Sequence, residues 1–173
     1  LEYATNSYSI SIIYNDIKSL DPISDITSLE YINVSYGSVE DDVSFGDLSN
    51  LRTLNFIYID LDNISFVSNL TSLQNLTFSN CGISDISPMK NLSNLISLNL
   101  HGNSIADISA LKDKTKLTSL DLQGNQVTDI SVLSTDTSLE SVTLSYNHVS
   151  DLSALMNLSN LSELRIYEDL DAK

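Results

Sequence analysis

Apolar residues recur along this chain with a fixed period of 22 residues. Leucines open successive copies at positions 29, 51, 73, 95, 117, 139 and 161, and apolar residues then recur at positions 1, 4, 6, 11, 14, 17 and 20 of each copy. A constant period of this size predicts a stack of equivalent coils, a solenoid, and not a globule with one central core. One copy holds too few apolar residues to offset the conformational entropy lost on ordering it. We therefore expect a single repeat to be unfolded and only the stack of repeats to be stable.

Positions 3 to 7 of each copy alternate between polar and apolar residues, as in the stretch 97–101, SLNLH. Alternation with a period of two is typical of a short strand with one buried face. Because every strand is followed by a coil of the same length, successive strands are predicted to align in parallel and to form one long sheet. Seven complete repeats occupy residues 7–160.

Two parts of the chain depart from the pattern. In the second repeat Asp42 occupies an apolar position and Val43 follows one place later, which predicts a local shift of the backbone. Lys114 and Asp136 occupy position 20, where the other repeats have apolar residues. These two charged residues are expected to leave a gap in the apolar packing on the convex side of the stack.

Both termini of the sequence fall inside a repeat. Leu1 and Ala4 would be positions 17 and 20 of an incomplete copy, and the copy that begins at Leu161 stops at Lys173. Terminal repeats of solenoids normally carry atypical capping sequence, and none is visible here. We therefore expect residues 1–173 to be a single repeat domain, with partial repeats at both ends, that comes from a longer protein.

The repeat pattern L-x-x-L-x-L-x-x-N-x-I-x-D-I-x-x-L-x-x-L resembles the leucine-rich repeat family. The stretch 82–95, GISDISPMKNLSNL, resembles the 22-residue subclass of bacterial internalins and of SDS22-like phosphatase regulators. The resemblance covers virtually the whole chain. It implies the α/β fold class and a horseshoe-shaped solenoid, with a parallel sheet on the concave face and short 3₁₀ turns on the convex face. It also implies protein binding without chemistry.

The net charge of −15, from eight basic and 23 acidic residues, excludes several classes of partner. Nucleic acids and anionic membrane surfaces both require a basic footprint. No apolar run approaches the length of a membrane span, and the single cysteine, Cys81, excludes an internal disulfide. We expect a monomer with no cofactor, no nucleic-acid partner and no membrane insertion.

Two polar columns of the stack have structural explanations. Position 9 carries Asn15, Asn103, Asn125 and Asn147, which predicts a ladder of buried amides that bond to the backbone of neighbouring coils, with Cys81 in the same slot. Position 13 carries aspartates that are expected to cap the turns they begin. A row of carboxylates also suggests metal ligands, but the glycine pattern of calcium solenoids is absent, so no metal site is predicted. These aspartates are Asp85, Asp107, Asp129 and Asp151.

The positions that the fold leaves free are the candidates for recognition. Positions 3, 5 and 7 should point out of the concave sheet, and position 8 begins the adjoining loop. Tyrosine is frequent there and is enriched in recognition surfaces, while polar residues in the middle could supply hydrogen bonds. The candidate binding residues are Tyr14, Tyr31, Tyr36, Ile57, Tyr58, Asn99, His101, Asp121, Gln123 and Tyr146.

A catalytic site is conceivable at one place only. Ser79 and His101 share position 7 of adjacent repeats, and Asp121 lies one repeat further on. The predicted surface is open to water, and the sequence has neither a G-x-S-x-G turn nor a phosphate-binding glycine loop. We therefore predict that the protein is not an enzyme.

The predicted function is that of a protein-binding module on the bacterial cell surface or outside the cell, like the internalins it resembles. Its ligand would be a protein held on the concave face, for which a host cell-surface protein is one candidate. Two alternatives remain open from the sequence. One is an intracellular SDS22-like scaffold or regulatory subunit, and the other is a structural spacer.

Overall fold

The computed structural model describes residues 6–40 and 42–167, in which most repeats form a strand on one side and a 3₁₀ helix on the other. The strands are β1 Ser9–Ile13, β2 Asp16–Ile17, β3 Tyr31–Ser35, β4 Ser38–Val39, β5 Thr53–Ile57, β6 Asn75–Ser79, β7 Ser97–Asn99, β8 Ser119–Asp121, β9 Ser141–Thr143 and β10 Glu163–Arg165. The 3₁₀ helices are η1 Asp21–Ile23, η2 Ser65–Asn69, η3 Ser87–Asn91, η4 Ser109–Leu111, η5 Ser131–Thr135 and η6 Ser153–Leu155.

Eight of the strands form one parallel sheet in the order β1-β3-β5-β6-β7-β8-β9-β10. The register is constant, since Ile32 pairs with Leu54 and Leu54 pairs with Leu76. The short strands β2 and β4 form a second, two-stranded sheet beside it. The predicted solenoid is confirmed, with the sheet on its concave face and the 3₁₀ helices on its convex face.

The core is a set of columns that run the length of the stack. The leucines that open the repeats from Leu29 to Leu139 are at most 1% exposed. The inward residues of the strands, such as Leu98 and Leu100, are buried in the same way. Every coil therefore buries its apolar residues against the coils on either side, which is why no single repeat has a core of its own.

The aspartates at position 13 cap the 3₁₀ helices, as predicted. In Asp85, Asp107, Asp129 and Asp151 the Oδ1 atom accepts a hydrogen bond of 2.8 Å from the backbone N–H two residues later. The same hydrogen bonds hold the pKa values of Asp85, Asp129 and Asp151 below the usual value, because they favour the ionised form.

The asparagine ladder is confirmed in the second half of the stack. The side-chain amide of Asn125 donates to the carbonyls of Leu100 and Leu122, both at 2.9 Å, while its oxygen accepts the N–H of Ile105 at 3.0 Å. Asn103 and Asn147 make equivalent bonds. Each amide thus ties the end of one strand to the preceding coil.

The first half of the stack replaces this ladder in several ways. Asn15 is exposed and bonds only to the carbonyl of Ile13 within its own repeat. A Cβ atom at Gly37 would lie 2.0 Å from the Asn15 carbonyl oxygen, so only glycine fits there. Cys81 is fully buried, and its thiol donates to the carbonyl of Phe56 at 3.3 Å. The thiol therefore fills part of the role of the missing amide.

The second repeat carries the predicted irregularity. It is the one repeat of the seven without a 3₁₀ helix in the described residues, and Val43 and Phe45 pack against the core only in part. Phe45 contacts Phe66 of the next repeat edge to face, with 5.6 Å between ring centroids. Aromatic packing between these two coils thus takes the place of the regular turn.

The gap in packing that was expected at Lys114 and Asp136 is not observed. Lys114 is 3% exposed and Asp136 is fully buried. The ammonium group of Lys114 reaches the carbonyl of Lys90 at 2.8 Å, so its long side chain fills the space that leucine fills elsewhere. Neither carboxylate oxygen of Asp136 receives a hydrogen bond. Burial therefore raises the pKa of Asp136 to about 6, although the charge of Lys114 opposes the shift.

The partial repeats predicted at the two ends are described only in part. Leu1, Ala4 and Lys173 lie outside the described residues. The last described strand, β10, is exposed along its whole length and pairs with β9.

Replacing Asn125 with alanine is expected to lower the free energy of unfolding by about 2–4 kcal/mol, since buried carbonyl and N–H groups lose their partners. Urea denaturation of the whole chain measures this change. The control is Asn15→Ala in the same column, which should change stability by less than about 0.5 kcal/mol because Asn15 is exposed. Equal losses in the two variants would contradict a buried ladder.

The raised pKa of Asp136 predicts a pH dependence of stability. Because its folded pKa of about 6 exceeds the usual 3.8, Asp136 disfavours folding once it ionises. The free energy of unfolding should fall by up to about 3 kcal/mol as the pH rises from 4 to 6. Asp136→Asn should remove this decline in urea denaturation measured across that range.

The control for this experiment is Asp129→Asn. The pKa of Asp129 is lowered by hydrogen bonds from Ser131, so Asp129 contributes stability that is lost only as the pH falls below 4. The Asp129 variant should therefore keep the decline between pH 4 and 6. A decline that persists in the Asp136→Asn variant would show that another group causes it.

Candidate binding surface

The outward positions of the large sheet form one face of the candidate site. Tyr31, Asn99, His101 and Asp121 are partly exposed, whereas their strand neighbours on the inward side are buried. These four side chains therefore point away from the core, as predicted. Asn33, Ser35, Thr143 and Ser145 are outward residues that are nonetheless at most 8% exposed.

Two polar residues in the middle of this face form hydrogen bonds with the backbone at the ends of their own strands. Asn99 Oδ1 accepts the backbone N–H of His101 at 2.9 Å, and Asp121 Oδ1 accepts that of Gln123 at 2.9 Å. The two bonds are equivalent and lie one repeat apart, at the ends of β7 and β8. The second carboxylate oxygen of Asp121 and the side chains of His101 and Gln123 face outward without a hydrogen-bond partner among the described residues.

Position 8 of every complete repeat has a left-handed backbone. The φ angles are 55° at Tyr14, 56° at Tyr36, 53° at Tyr58 and 56° at Tyr146. Asn80, Gly102 and Gly124 occupy the same position in the other repeats with φ between 54° and 69°. Glycine and asparagine tolerate this conformation, but a bulky residue such as tyrosine adopts it only at a cost.

Three of these tyrosines stack on one another. The ring centroids of Tyr14 and Tyr36 are 5.0 Å apart and those of Tyr36 and Tyr58 are 5.2 Å apart, with interplanar angles of 21°. The rings are between 43% and 76% exposed. The spacing follows from that of the paired strands, about 4.8 Å, which places identical side chains within stacking distance.

Two isoleucines at position 7 extend the aromatic row onto the sheet. Ser35 pairs with both Ile13 and Ile57 on the neighbouring strands. Ile13 is 47% exposed, while Ser35 is buried between its larger neighbours. We call the surface formed by Tyr14, Tyr36, Tyr58, Ile13 and Ile57 the tyrosine patch.

The structure does not bring all the predicted residues together. Tyr146 is separated from the tyrosine patch by three repeats and makes no ring contact in the described part of the chain. Tyr31 lies on the sheet, where its hydroxyl accepts a hydrogen bond of 3.4 Å from Asn55. Asn99, His101, Asp121 and Gln123 form the separate polar group in the middle of the sheet.

Carboxylates beside the tyrosine patch were missed by sequence reasoning. Position 10 follows position 8 by two residues, and it carries Asp16 and Asp60, both exposed. Asp60 also lines a hollow of about 150 Å³ together with Glu40, Asp42 and Asp62. The 22-residue period could have revealed this column, because positions 8 and 10 flank the inward position 9 in every repeat.

No hydrogen bond joins Ser79, His101 and Asp121, the trio that the sequence made conceivable, to one another among the described residues. The hydroxyl of Ser79 accepts a bond of 3.0 Å from the side-chain amide of Asn80, and no bond connects it to His101. Burial raises the pKa of the Cys81 thiol to about 12, so the thiolate, which is the nucleophilic form, is strongly disfavoured.

Residues 6–40 and 42–167 hold no group of three or more His, Cys, Asp or Glu side chains placed to bind a metal ion. No helix within the same residues is long and apolar enough to cross a membrane.

A parallel stack of short strands backed by 3₁₀ helices, with an open sheet face, is the architecture of the leucine-rich repeat class. A family model described as Leucine Rich repeats (2 copies) matches residues 71–113 and 93–135. The chain belongs to the leucine-rich repeat family. No curated protein sequence matches the chain.

Several solved structures are similar to the whole solenoid. An internalin (inlF) of Listeria monocytogenes is 30% identical over 97% of this chain, with a TM-score of 0.85. Internalin C2 of the same species is 25% identical over 92% of this chain, with a TM-score of 0.72, and 80% of its own length is covered. The chain spans half the length of the first internalin.

A third structure shows the fold alone. A leucine-rich repeat protein of Leptospira interrogans is 20% identical over 93% of this chain, which covers 43% of it, with a TM-score of 0.79. Two of these three proteins are therefore internalins, and the third is a leucine-rich repeat protein.

The left-handed tyrosines predict opposite effects of glycine in two places. Tyr146→Gly should raise the free energy of unfolding by about 0.5–1 kcal/mol, because it relieves the backbone and removes no ring contact. Tyr36→Gly should lower it, because the two stacking contacts that it removes, worth about 0.5–1.5 kcal/mol each, together exceed the same relief of the backbone. Urea denaturation of both variants measures the contrast, and the same sign of change in both would refute it.

Proposed function

We propose that the chain is a protein-binding module of a secreted or surface-attached bacterial protein, with its protein ligand held on the concave sheet face. Binding, and not catalysis, is its activity. The observation that carries the proposal is the set of tyrosines at position 8, which lie exposed beside the sheet in a backbone conformation that disfavours them. Core packing explains none of these rings, and tyrosine is enriched in recognition surfaces.

The similarity to internalins supports the bacterial surface over an intracellular scaffold. Two of the similar solved structures are internalins, and the match extends over nearly all of this chain. The acidic surface is compatible with a location outside the cell and disfavours nucleic acids and anionic lipid surfaces as ligands.

The open geometry of the sheet favours binding over chemistry. Ser79 and His101 lie on a face that is accessible to water, and the Ser79 hydroxyl is bonded to Asn80. A serine nucleophile requires a base within hydrogen-bond reach and a site that stabilises the oxyanion. The polar group of Asn99, His101 and Asp121 instead offers hydrogen bonds that orient a ligand.

Site-specific photo-crosslinking tests the position of the ligand. A photoreactive amino acid at Asn75, which is exposed on the sheet face, should give discrete adducts with surface proteins extracted from host cells or from the bacterium's own envelope. The same group at Lys112, exposed on the 3₁₀ side, serves as the control and should give none. Excess unmodified protein should compete for the adducts.

The proposal fails if the two positions give the same adducts or if only Lys112 gives them. The cellular location is tested separately by antibody labelling of intact cells that carry the native gene. Labelling only after the cells are permeabilised would contradict a location at the surface.

A further inference from the structure

The tyrosine patch lies beside a strip of carboxylates that outnumber the basic groups near it. In the first three repeats, positions 10 to 14 contain six acidic residues and one basic residue, Lys18. Of the acidic residues, Asp16 and Asp60 are exposed at position 10, and Glu40 and Asp62 are exposed at position 12. The one ion pair among the described residues joins Glu163 to Arg165 at the other end of the stack.

The rings and the carboxylates emerge on the same side of the chain. Tyr58 is 53% exposed, Ile59 is fully buried and Asp60 is exposed. Position 9 therefore points inward, and positions 8 and 10 both point outward beside it. Asp16 likewise follows Tyr14 by two residues and is exposed, although Asn15 between them is exposed as well, and its carboxylate accepts a hydrogen bond of 2.9 Å from Ser38.

Among the described residues, Tyr36 contacts a ring on each side, whereas Tyr58 contacts a ring only on the side of Tyr36. Beyond Tyr58 the column continues with Asn80, whose amide is bonded to Ser79. The faces of aromatic rings attract cations, and this attraction is strongest where carboxylates add to the negative potential.

We infer that the tyrosine patch and the carboxylates beside it form the docking surface for a basic, arginine-containing segment of the protein ligand. This inference rests on the proposed function and deepens it. The guanidinium group of arginine is planar, so it can stack on an exposed ring of the patch, such as that of Tyr58, while it donates two parallel hydrogen bonds to Asp60 or Asp16. The ammonium group of lysine can pair with the carboxylates but cannot stack in this way.

The apolar part of the patch fits the same partner. Ile13 and Ile57 lie next to the rings on the sheet side, opposite the carboxylates. The aliphatic stem of arginine can lie along such a surface while its charged end reaches the acidic side. An acidic or neutral polar segment would leave the carboxylates beside the patch unpaired and close to its own charge or dipoles.

Fluorescence anisotropy with labelled peptides tests the inference on the whole chain. The probe is a twelve-residue peptide of alternating arginine and serine, compared with peptides in which lysine or glutamate replaces arginine. We expect the arginine peptide to bind about tenfold more tightly than the lysine peptide and the glutamate peptide not to bind. Binding should weaken as the salt concentration rises.

The decisive variant is Tyr14→Asn with Tyr36→Asn and Tyr58→Asn. Asparagine occurs at the same left-handed position in the fourth repeat, at Asn80, and the net charge is unchanged. This variant should bind the arginine peptide about tenfold more weakly. The control is Tyr8→Asn, which removes a 71% exposed ring from the opposite end of β1 and should leave binding unchanged.

A second pair of variants distinguishes the effect of the carboxylates beside the patch on peptide binding from the effect of the overall negative charge. Asp16→Asn with Asp60→Asn should weaken binding of the arginine peptide. Glu30→Gln with Glu140→Gln removes two exposed charges from position 2, at the opposite end of the strands, and should have a smaller effect. Because Tyr14 is 76% exposed, Tyr14→Asn alone provides a variant that keeps the fold if the triple variant unfolds.

The inference is overturned if the arginine and lysine peptides bind equally, or if the tyrosine variants bind as tightly as the Tyr8 control. Either result, together with adducts from position 75 in the photo-crosslinking experiment, would leave the proposed function intact and assign the ligand to another part of the sheet face. Failure of both experiments would overturn the proposed function as well.

Discussion

The structure depends on parallel pairing of strands in a register that shifts by 22 residues at every step. Because Leu54 pairs with both Ile32 and Leu76, residues one period apart become nearest neighbours about 4.8 Å from one another. A column of the aligned sequence is therefore a physical column of side chains. Whether a residue stabilises the fold depends on what occupies the same position in the repeats before and after it.

This dependence explains why unlike residues can share a column without loss of packing. At position 7, Ser35 is buried because Ile13 and Ile57 lie on either side of it. At position 20, the burial of Asp136 is accompanied by the positive charge of Lys114 in the adjacent coil, which partly opposes the rise in its pKa. An unpaired carboxylate in that place would be more costly, since burial of a charge is expensive without a counter-charge.

The period was sufficient to predict the sheet, the capping aspartates and the asparagine ladder, because each comes from residues that recur at one position of the repeat. The 3₁₀ turns were implied by the resemblance to leucine-rich repeats. Lys114 and Asp136 were both expected to leave a gap in the packing, but both are buried. For Lys114 the burial depends on a contact between repeats, with the carbonyl of Lys90. The left-handed backbone at position 8 could have been predicted from Gly102, Gly124 and Asn80. The proximity of the rings could have been predicted as well, since Tyr14, Tyr36 and Tyr58 occupy one position of consecutive repeats, whereas the angle between their planes has no signature in the period.

The tyrosine patch is a place where local preference and global structure disagree. Three tyrosines in left-handed conformation cost about 1–2 kcal/mol each, whereas the two stacking contacts return about 0.5–1.5 kcal/mol each. Stacking therefore does not by itself compensate for the backbone, and the middle repeats show that Gly102 and Gly124 serve the fold at the same position. The proposed role of the tyrosines in binding a partner would account for a residue type that the fold itself does not require at this position.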